Sequence, residues 1–260
     1  MRIASWNVNG LRAIAKKGFA AWRSASAADF VGLQETRCQA SQAPPELLAG
    51  WHTAFVSAER KGYSGCGVFS RRPLDEVRTS LGVGTMDREA RVQIARIGSL
   101  SIANVYFPNG SGPNRDHSRV AFKLRFYRRL FKTLDPLLKS GEPVVVMGDF
   151  NTAIEDIDLA RPRPNRTTSG FLDRERKELK RWLKHGWVDS YRVFDDSPGK
   201  YTWWSQRKGV RERNVGWRID LALVSPGALP FLRSAEIHPE VLGSDHCPIS
   251  LDLDDAVLGV

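Results

Sequence analysis

The 260-residue sequence predicts an α+β fold, a four-layer αββα sandwich in which two mixed β-sheets pack face to face and helices cover their outer faces. Short apolar runs rich in Val and Ile, bounded by Gly, Pro or Asn, recur along the chain as strands do. Helical patterns are fewer and do not alternate strictly with these runs, which disfavours a TIM barrel. A chain of this length, with 42% hydrophobic residues, buries a sizeable core without disulfides.

The apolar runs are predicted as strands because they are short and rich in β-branched residues. Some alternate apolar with polar residues, and others are apolar throughout, as in strands buried on both faces. The predicted strands cover residues 2–8, 29–33, 51–56, 66–70, 91–97, 101–106, 144–147, 217–224 and 248–253.

The clearest predicted helix begins near Ser118, where apolar residues recur at intervals of three and four and basic residues fill the opposite face. Pro136 is expected to kink or end this helix. Residues 10–24 and 173–184 are the next helical candidates, and Asp173 is a candidate cap of the second. The remaining long segments, 109–117 and 149–170, are loops rich in Gly, Pro and Asn, and loops of this length are usually functional.

The net charge and the length of the chain narrow the classes of function to consider. Lys and Arg number 39 and Asp and Glu 29, which leaves a formal net charge of +10. A polyanion is therefore the first partner to consider, because neutralising phosphates releases condensed counterions. We expect one domain over residues 1–260 with a catalytic core at about 2–253, acting as a monomer.

Targeting signals are not evident in the sequence. The first residues have neither the apolar run nor the cleavage pattern of a signal peptide, and no stretch approaches the length of an apolar membrane helix. The three cysteines, Cys38, Cys66 and Cys247, are widely spaced, without a zinc-binding pattern. We therefore expect a cytoplasmic protein with no membrane partner, in which the cysteines are small core residues.

Polar residues follow the predicted strands at the points where the strands end. Strand ends on one edge of packed sheets converge in space, so these groups are expected to face one pocket. Their composition, acids and amides with one imidazole, is typical of metal-assisted phosphoryl chemistry. The groups are Asn7, Asn9, Glu35, Tyr106, Asn109, Asp149, Asn151, Asp220, Asp245 and His246.

A magnesium site is predicted from the oxygen donors among these residues. Mg²⁺ prefers oxygen ligands and retains water, which suits Glu35 with Asn7 or Asn9, and Asp245 through a water. Proton transfer would involve Asp149 as a general base for water, and His246 shares protons in the physiological range. Zinc is disfavoured relative to Mg²⁺ or Mn²⁺, because the other histidines occur in no metal-binding spacing.

Two further groups complete this interpretation. Asn151 is expected to hold the attacking water or the developing charge, and Asp220 to fix the tautomer of the imidazole or a neighbouring side chain.

Several sequence strings resemble the exonuclease III group of apurinic/apyrimidinic (AP) endonucleases, within the endonuclease/exonuclease/phosphatase superfamily that shares the DNase I-like fold. The resemblance runs from Arg2 to about Leu253 in family order. The strings are SWNVNGLRA, LQETRC, YSGCG, VYFPNG, GDFNTA, DIDLARP, NVGWRID and LGSDHCPI.

The resemblance implies site residues as well as a fold. The implied catalytic residues are Tyr106, Asp149, Asn151, Asp220 and His246, with Tyr106 touching the scissile phosphate. The implied metal neighbours are Asn7, Glu35, Asp149, Asn151, Asp245 and His246, with Asn9 as an additional candidate. The implied DNA contacts are Asn109, Asn165 and Arg218, with Trp203, Trp217 and either Leu221 or Ile219 in an apolar abasic-site pocket.

The implied activity is Mg²⁺-dependent repair of duplex DNA, with Mn²⁺ as a substitute metal. It comprises incision 5′ of abasic sites, 3′-5′ exonuclease activity and trimming of blocked or recessed 3′ ends. Trp203 and Gly112 differ from human-type members, in which a phenylalanine and a basic wedge occupy these positions. A mainly 3′-5′ exonuclease or 3′-phosphodiesterase activity therefore stays open.

Two other classes of protein also stay open: another phosphoesterase of this fold, and a DNA-binding protein without catalysis. The presence of Glu35, Asp149, Asp220 and His246 together is evidence against a protein that has lost catalysis.

Overall fold

A computed structural model describes residues 1–114 and 116–259. Short strands and a few helices alternate irregularly along the chain. The strands are β1 (Arg2–Asn7), β2 (Phe30–Gln34), β3 (His52–Val56), β4 (Cys66–Ser70), β5 (Glu76–Arg78), β6 (Val92–Ile97), β7 (Leu100–Tyr106), β8 (Val144–Asp149), β9 (Val188–Asp189), β10 (Trp203–Trp204), β11 (Gly216–Trp217), β12 (Asp220–Val224), β13 (Leu232–Ile237) and β14 (Ile249–Leu253). The α-helices are α1 (Leu11–Ala15), α2 (Phe19–Ala25), α3 (Pro45–Leu48), α4 (Gly84–Asp87), α5 (Val120–Lys139) and α6 (Asp173–Lys184).

Two six-stranded mixed sheets form the centre of the fold, with strand orders β13-β14-β1-β2-β4-β3 and β5-β6-β7-β8-β12-β9. Each contains a central parallel pair, β1 with β2 and β7 with β8, and its other strand pairs are antiparallel. A hairpin of β10 and β11 lies outside both sheets. The predicted α+β sandwich of two mixed sheets flanked by helices is confirmed.

Apolar side chains fill the three interfaces between these layers. Between the sheets, Ile3 and Val68 of one sheet share a buried cluster with Ile102 and Val145 of the other. Helices α5 and α6 pack on the outer face of the second sheet, and α1 and α2 cover the first. Burial of apolar area at these interfaces is the main favourable contribution to folding.

A polar link joins the two sheets near their functional end. The side chain of Asn104, on β7, is fully buried. Its Oδ1 accepts a hydrogen bond of 2.6 Å from Nε2 of Gln34, and its Nδ2 donates to the carbonyls of Leu33 and Gly67 at 3.1 and 3.2 Å. Buried amides with good partners favour a unique arrangement, so this link restricts sliding of one sheet over the other.

The helices differ from prediction at three points. Helix α5 continues through Pro136 to Lys139, because Pro136 lies in an exposed last turn where water can satisfy the carbonyl left without a donor. The region predicted as one helix over 10–24 forms α1 and α2, separated at Gly18, whose φ is +93°. Asp173 does not cap α6: the carboxylate of Glu175 accepts the backbone N–H of Leu172 instead.

The strands that the sequence pattern missed are short or lie at sheet edges. Strands β5, β9 and β13 are edge strands, and β10 contains two residues, too few for a periodicity to register. The predicted run 217–224 is interrupted, since it contributes the end of β11 and then the whole of β12. The loops 109–117 and 149–170 form as expected except for position 115, which lies outside the described residues.

Within residues 1–114 and 116–259, helices long and apolar enough to cross a membrane are absent. All three cysteines are buried and unpaired with one another, as expected of small core residues in this part of the chain.

A substitution at Gly148 tests how tightly the end of β8 packs against β7. The φ of Gly148 is +139°, and a Cβ atom there would lie 2.0 Å from the carbonyl oxygen of Val105 on β7. We expect Gly148→Ala to lower the free energy of unfolding by roughly 2–5 kcal/mol, through backbone strain and overpacking. Equilibrium urea unfolding measures this loss.

Gly141→Ala is the matched control for this prediction. Gly141 also has a positive φ, +78°, but a Cβ there meets nothing within 4 Å. We expect a loss of about 1–2 kcal/mol from strain alone. Equal losses at the two positions would contradict the close approach of β7 and β8.

Candidate active site

The predicted polar residues converge on one pocket of about 400 Å³ at the end of both sheets. The last residues of β7 and β8, in the second sheet, line it, as do Asn9 and Glu35, which follow β1 and β2 of the first sheet. Predicted site residues that line the pocket are Asn9, Glu35, Tyr106, Asn109, Asp149, Asn151, Trp203, Trp217, Asp245 and His246, together with Ile219.

Asn7 lies beneath the pocket and orients two acids. Its side chain is fully buried at the end of β1. Its Nδ2 donates to Oδ2 of Asp149 at 2.9 Å and to Oε2 of Glu35 at 3.1 Å, and its Oδ1 accepts the backbone N–H of Asn9 at 3.0 Å. One amide therefore positions an acid from each sheet.

Asp149, Asp220 and His246 form a compact buried group. The antiparallel register of β8 and β12 places Asp149 directly opposite Asp220. Nδ1 of His246 lies 2.8 Å from Oδ2 of Asp220, and Nε2 of His246 lies 3.9 Å from Oδ2 of Asp149. The imidazole is thus held by one acid and points its other nitrogen toward the second.

The charges in this group shift its proton affinities strongly. Burial lowers the pKa of His246, but Asp220 and Asp149 outweigh this effect and raise it to about 10. Burial raises the pKa of Asp149 to about 7; His246 opposes this shift and Asp220 adds to it. His246 is therefore a cation at neutral pH, while Asp149 is poised to take up or release a proton.

Asn151 is fixed in a tight turn after β8. Its backbone has a φ of +50°, and its backbone N–H donates to Oδ1 of Asp149 at 2.8 Å. Its Nδ2 donates to Oδ2 of Asp149 at 3.1 Å and to the carbonyl of Phe107 at 2.9 Å. The turn aims an amide and a carboxylate at the same point of the pocket.

Tyr106 ends β7 at the pocket wall. Burial raises the pKa of Tyr106, and nearby Glu35 adds to the rise, so its hydroxyl stays neutral and can donate a hydrogen bond. The guanidinium carbon of Arg91 lies 4.4 Å from the centre of the Tyr106 ring, and Nη1 of Arg91 donates to the Tyr106 carbonyl at 3.1 Å. Glu35, opposite, forms an ion pair with Arg37.

Asp245 closes the pocket on the side of Asn9. Its Oδ1 accepts Nδ2 of Asn9 at 2.8 Å, and its Oδ2 accepts Nε1 of Trp203 at 3.2 Å. Burial alone would raise the pKa of Asp245, but His246 and these two hydrogen bonds lower it. Asp245 is therefore an anion beside the imidazolium.

The residues present fit a hard divalent cation. The buried Asp149 and Asp220 bring carboxylate oxygens within 4.8 Å of each other and of His246, and among the described residues Oδ1 of Asp220 has no hydrogen-bond partner. Glu35 and Asp245 add carboxylate oxygens to the same pocket. A donor set dominated by oxygen suits Mg²⁺ or Mn²⁺ better than a softer metal.

Two indoles form the apolar side of the pocket. The rings of Trp203 and Trp217 pack edge to face with centroids 6.3 Å apart, and Phe171 and Ile219 lie behind them. Ile219 lines the pocket, whereas Leu221, the other candidate, is buried in the core beneath α5 and α6. The prediction of Leu221 in this pocket is wrong: Ile219 precedes β12 at the pocket end, whereas Leu221 lies two residues further along the chain, inside the strand, where it packs in the core.

Arg218 does not lie on a DNA-binding surface. Only 1% of it is exposed, and its guanidinium donates to Oδ1 of Asp158 at 2.8 Å and to Oδ2 of Asp189 at 2.7 Å. The prediction of a DNA contact there is wrong, because both faces of the side chain are used inside the protein. Asn165 lies outside the pocket in a short 3-10 helix, where its Nδ2 donates to the carbonyl of Arg161.

The sequence interpretation missed several residues of the pocket wall. Ser111 belongs to the loop 109–117, and Thr168, Ser169 and Gly170 end the loop 149–170, so the unusual length of these loops was the available signal. Arg37 follows Glu35 by two residues but carried no pattern of its own.

A basic groove of about 630 Å³ adjoins the pocket and shares Asn9, Arg37 and Asp245 with it. Its cations come from the turn after α1, from the loop after β2 and from the segment between β10 and β11. They are Lys17, Arg37, Arg207, Lys208 and Arg211. The groove can therefore attract an anionic chain toward the catalytic group.

Residues 4–246 match the Endonuclease/Exonuclease/phosphatase family. An exodeoxyribonuclease of Bacillus subtilis (strain 168) is 39% identical over 255 residues, covering 96% of this chain and 98% of the relative. A DNA-(apurinic or apyrimidinic site) endonuclease of Dictyostelium discoideum is 33% identical over 257 residues, covering 98% of this chain and 71% of the relative. The structure of the 3′ phosphatase NExo from Neisseria bound to a product DNA hairpin aligns with a TM-score of 0.88 and 27% identity, over 98% of this chain and 99% of that one. The chain therefore belongs to the Endonuclease/Exonuclease/phosphatase family and, within it, to the exonuclease III and AP endonuclease group of hydrolytic nucleases.

Proposed function

We propose that this nuclease is a Mg²⁺-dependent DNA repair phosphodiesterase that incises the backbone 5′ of abasic sites in duplex DNA and also trims 3′ ends. The observation that carries the proposal is the buried Asp149, Asp220 and His246 group, which opens onto a pocket with an indole wall beside a basic groove. We infer one catalytic unit over residues 1–260, because each sheet supplies part of the group.

The roles of the side chains follow from their contacts. Asp149, with a pKa raised by burial to about 7, accepts the proton of the attacking water, which Asn151 helps to orient. The imidazolium of His246, held by Asp220, donates a hydrogen bond to a phosphate oxygen and stabilises the charge that develops there. The neutral Tyr106 hydroxyl is a second donor for the phosphate.

Metal binding involves the acids and amides of the pocket. Glu35 and Asp245 would hold Mg²⁺ or Mn²⁺, with Asn7, Asn9, Asp149, Asn151 and His246 as neighbours. When bound, the cation supplies charge neutralisation at the phosphate and at the leaving oxygen.

Duplex DNA would lie along the basic groove with an abasic sugar turned into the pocket. Trp203, Trp217 and Ile219 offer an apolar surface for a sugar that has lost its base. Lys17, Arg207 and Lys208 are placed to contact phosphates. Asn109, which lines the pocket, is a further candidate contact with the backbone.

A mainly 3′-directed enzyme is the second candidate. It is favoured by the names of two similar proteins, an exodeoxyribonuclease and a 3′ phosphatase. The same catalytic group serves both reactions, so only the position of the cut distinguishes them.

Cleavage of a labelled duplex that carries one tetrahydrofuran abasic analogue tests the proposal. With Mg²⁺ we expect a single product cut 5′ of the analogue on a denaturing gel, and with EDTA no product, because the cation neutralises the phosphate. An intact duplex with a recessed 3′ end is the parallel substrate. A ladder from the 3′ end without the internal cut would favour the second candidate, and cleavage of neither would overturn both.

Substitution of the catalytic group should separate chemistry from binding. We expect Asp149→Asn and His246→Ala each to lower the single-turnover rate by ~10²–10⁴, since a general base or a charge-stabilising donor typically contributes this much. DNA affinity in EDTA should change little, and a cooperative urea transition shows that each variant is folded. Asp135→Asn, a surface acid on α5, is the control with unchanged activity, and full activity of both site variants would contradict the assignment.

Trp217→Ala tests the abasic-site pocket. We expect discrimination between abasic and intact duplex to fall by about 1–3 kcal/mol, the usual contribution of an aromatic stacking surface. Fluorescence anisotropy with both duplexes in EDTA measures the two affinities. Trp22→Ala, in α2 on the other face of the first sheet, should affect both duplexes equally, and the same result for Trp217 would place it outside the recognition surface.

A further inference from the structure

A buried lysine lies directly beneath the catalytic turn. Lys123, in the first turn of α5, has no exposed surface. Its Nζ donates to the backbone carbonyl of Asn151 at 2.6 Å and to Oε1 of Glu175 at 2.7 Å. Fully buried lysines are rare in proteins unless they are paired, and Lys123 is paired with Glu175. Its charge therefore acts inside the protein and not at the surface.

Glu175 connects the lysine to the wall of the pocket. Only 1% of Glu175 is exposed. Its Oε1 also accepts Oγ of Ser169 at 3.0 Å, and its Oε2 accepts the backbone N–H groups of Gly170 and Leu172 at 2.6 and 3.2 Å. The ion pair therefore joins α5 and α6 to the catalytic turn and to the end of the loop 149–170.

The packing around this pair leaves little room for movement. A Cβ atom on Gly110 would lie 2.3 Å from Oγ of Ser169 and 2.9 Å from Oε1 of Glu175. A Cβ atom on Gly170 would lie 3.1 Å from the carbonyl oxygen of Asn151 and 3.2 Å from the Trp217 ring. The pair thus lies under the same wall that carries Trp217 and Asn109.

Stability alone does not account for a buried ion pair at this point. Removing both charges from water costs about as much as their attraction returns, and an apolar pair of the same volume is often as stable. What an apolar pair cannot supply is a donor for the Asn151 carbonyl. That carbonyl belongs to a residue with a φ of +50°, in the left-handed region, which Asn adopts more readily than most non-glycine residues but at a cost that fixed backbone partners offset.

We propose that Lys123 is a positioning residue for catalysis, which holds the Asn151 peptide so that the Asn151 side chain stays aligned with Asp149. The Asn151 N–H is fixed by Oδ1 of Asp149, and Lys123 fixes the carbonyl of the same residue. Glu175 keeps the lysine in place and ties the alignment to the pocket wall. The inference rests on the proposed function through the assignment of Asn151 to the reacting phosphate.

A double-mutant cycle between Lys123 and Asn151 tests this role in the full-length protein. The variants are Lys123→Met, Asn151→Ala and the double variant. Each is assayed by single-turnover cleavage of a duplex that the unsubstituted protein cleaves, either the abasic-analogue duplex or the duplex with a recessed 3′ end. DNA affinity in EDTA is measured alongside. Arg23→Met is the matched control, since Arg23 is also a buried cation that donates to a backbone carbonyl, that of Leu47, but it belongs to α2 and does not line the pocket.

We expect Lys123→Met to lower the single-turnover rate by roughly 10–100-fold and to leave DNA affinity unchanged, because a small displacement of a catalytic group slows the reaction by about this much. In the Asn151→Ala background the same substitution should change the rate by less than about 2-fold, because the group it positions is gone. Arg23→Met should lower the urea midpoint without a change in rate. Lys123→Gln retains an N–H donor and should recover part of the rate; it replaces Lys123→Met in the cycle if the methionine variant does not fold.

The positioning role would be overturned if the rate losses of the two single variants multiplied in the double variant, or if Lys123→Met left the rate unchanged. If the unsubstituted protein cleaves DNA, neither result would contradict the proposed function. If the unsubstituted protein cleaved neither duplex, the proposed function and this inference would both fail.

Discussion

The buried amide of Asn104 is the contact on which the active site most depends, because it spans the space between the two sheets. It bonds to Gln34, the residue before Glu35, and it lies two residues before Tyr106 on its own strand. The acid of one sheet and the tyrosine of the other are thereby held at a constant separation. A slip between the sheets would break several buried hydrogen bonds at once, and unmade buried bonds are costly.

The site concentrates negative charge, and the imidazole of His246 lies between two of its acids. Asp149 and Asp220 raise the pKa of His246, so the imidazolium persists at neutral pH and partly offsets the acids. Oxygen atoms of Asp149, Glu35 and Asp245 remain directed to the pocket, where a divalent cation and a phosphate can complete the balance. The basic groove beside the pocket supplies the long-range attraction that this acidic centre lacks.

Most residues that the sequence predicted for the site do meet at one pocket, but their surroundings were predicted less well. Glu35 and Asp149 could be predicted because they stand at the ends of apolar strands, which converge by geometry, whereas His246 lies in the loop before β14. Arg218 could not be placed correctly, because an arginine next to Trp217 fits a DNA contact in sequence, while the acids that hold it in the interior come from distant segments. Lys123 carried no signal in the sequence analysis, and only its contact with Glu175, 52 residues later, explains how a lysine is accommodated in the interior.

By itself, the sequence determined the long central strands, the long helix, the fold class and the chemical types of the residues at the pocket, because apolar periodicity and strand-end residues are local properties. The tertiary structure alone decided the register of β8 against β12, which sets Asp149 opposite Asp220, and the choice of Ile219 over Leu221 at the pocket. It also decided which charges are paired inside the protein and which line the basic groove. These outcomes depend on contacts between residues far apart in the chain, whose burial and electrostatic energies no local pattern encodes.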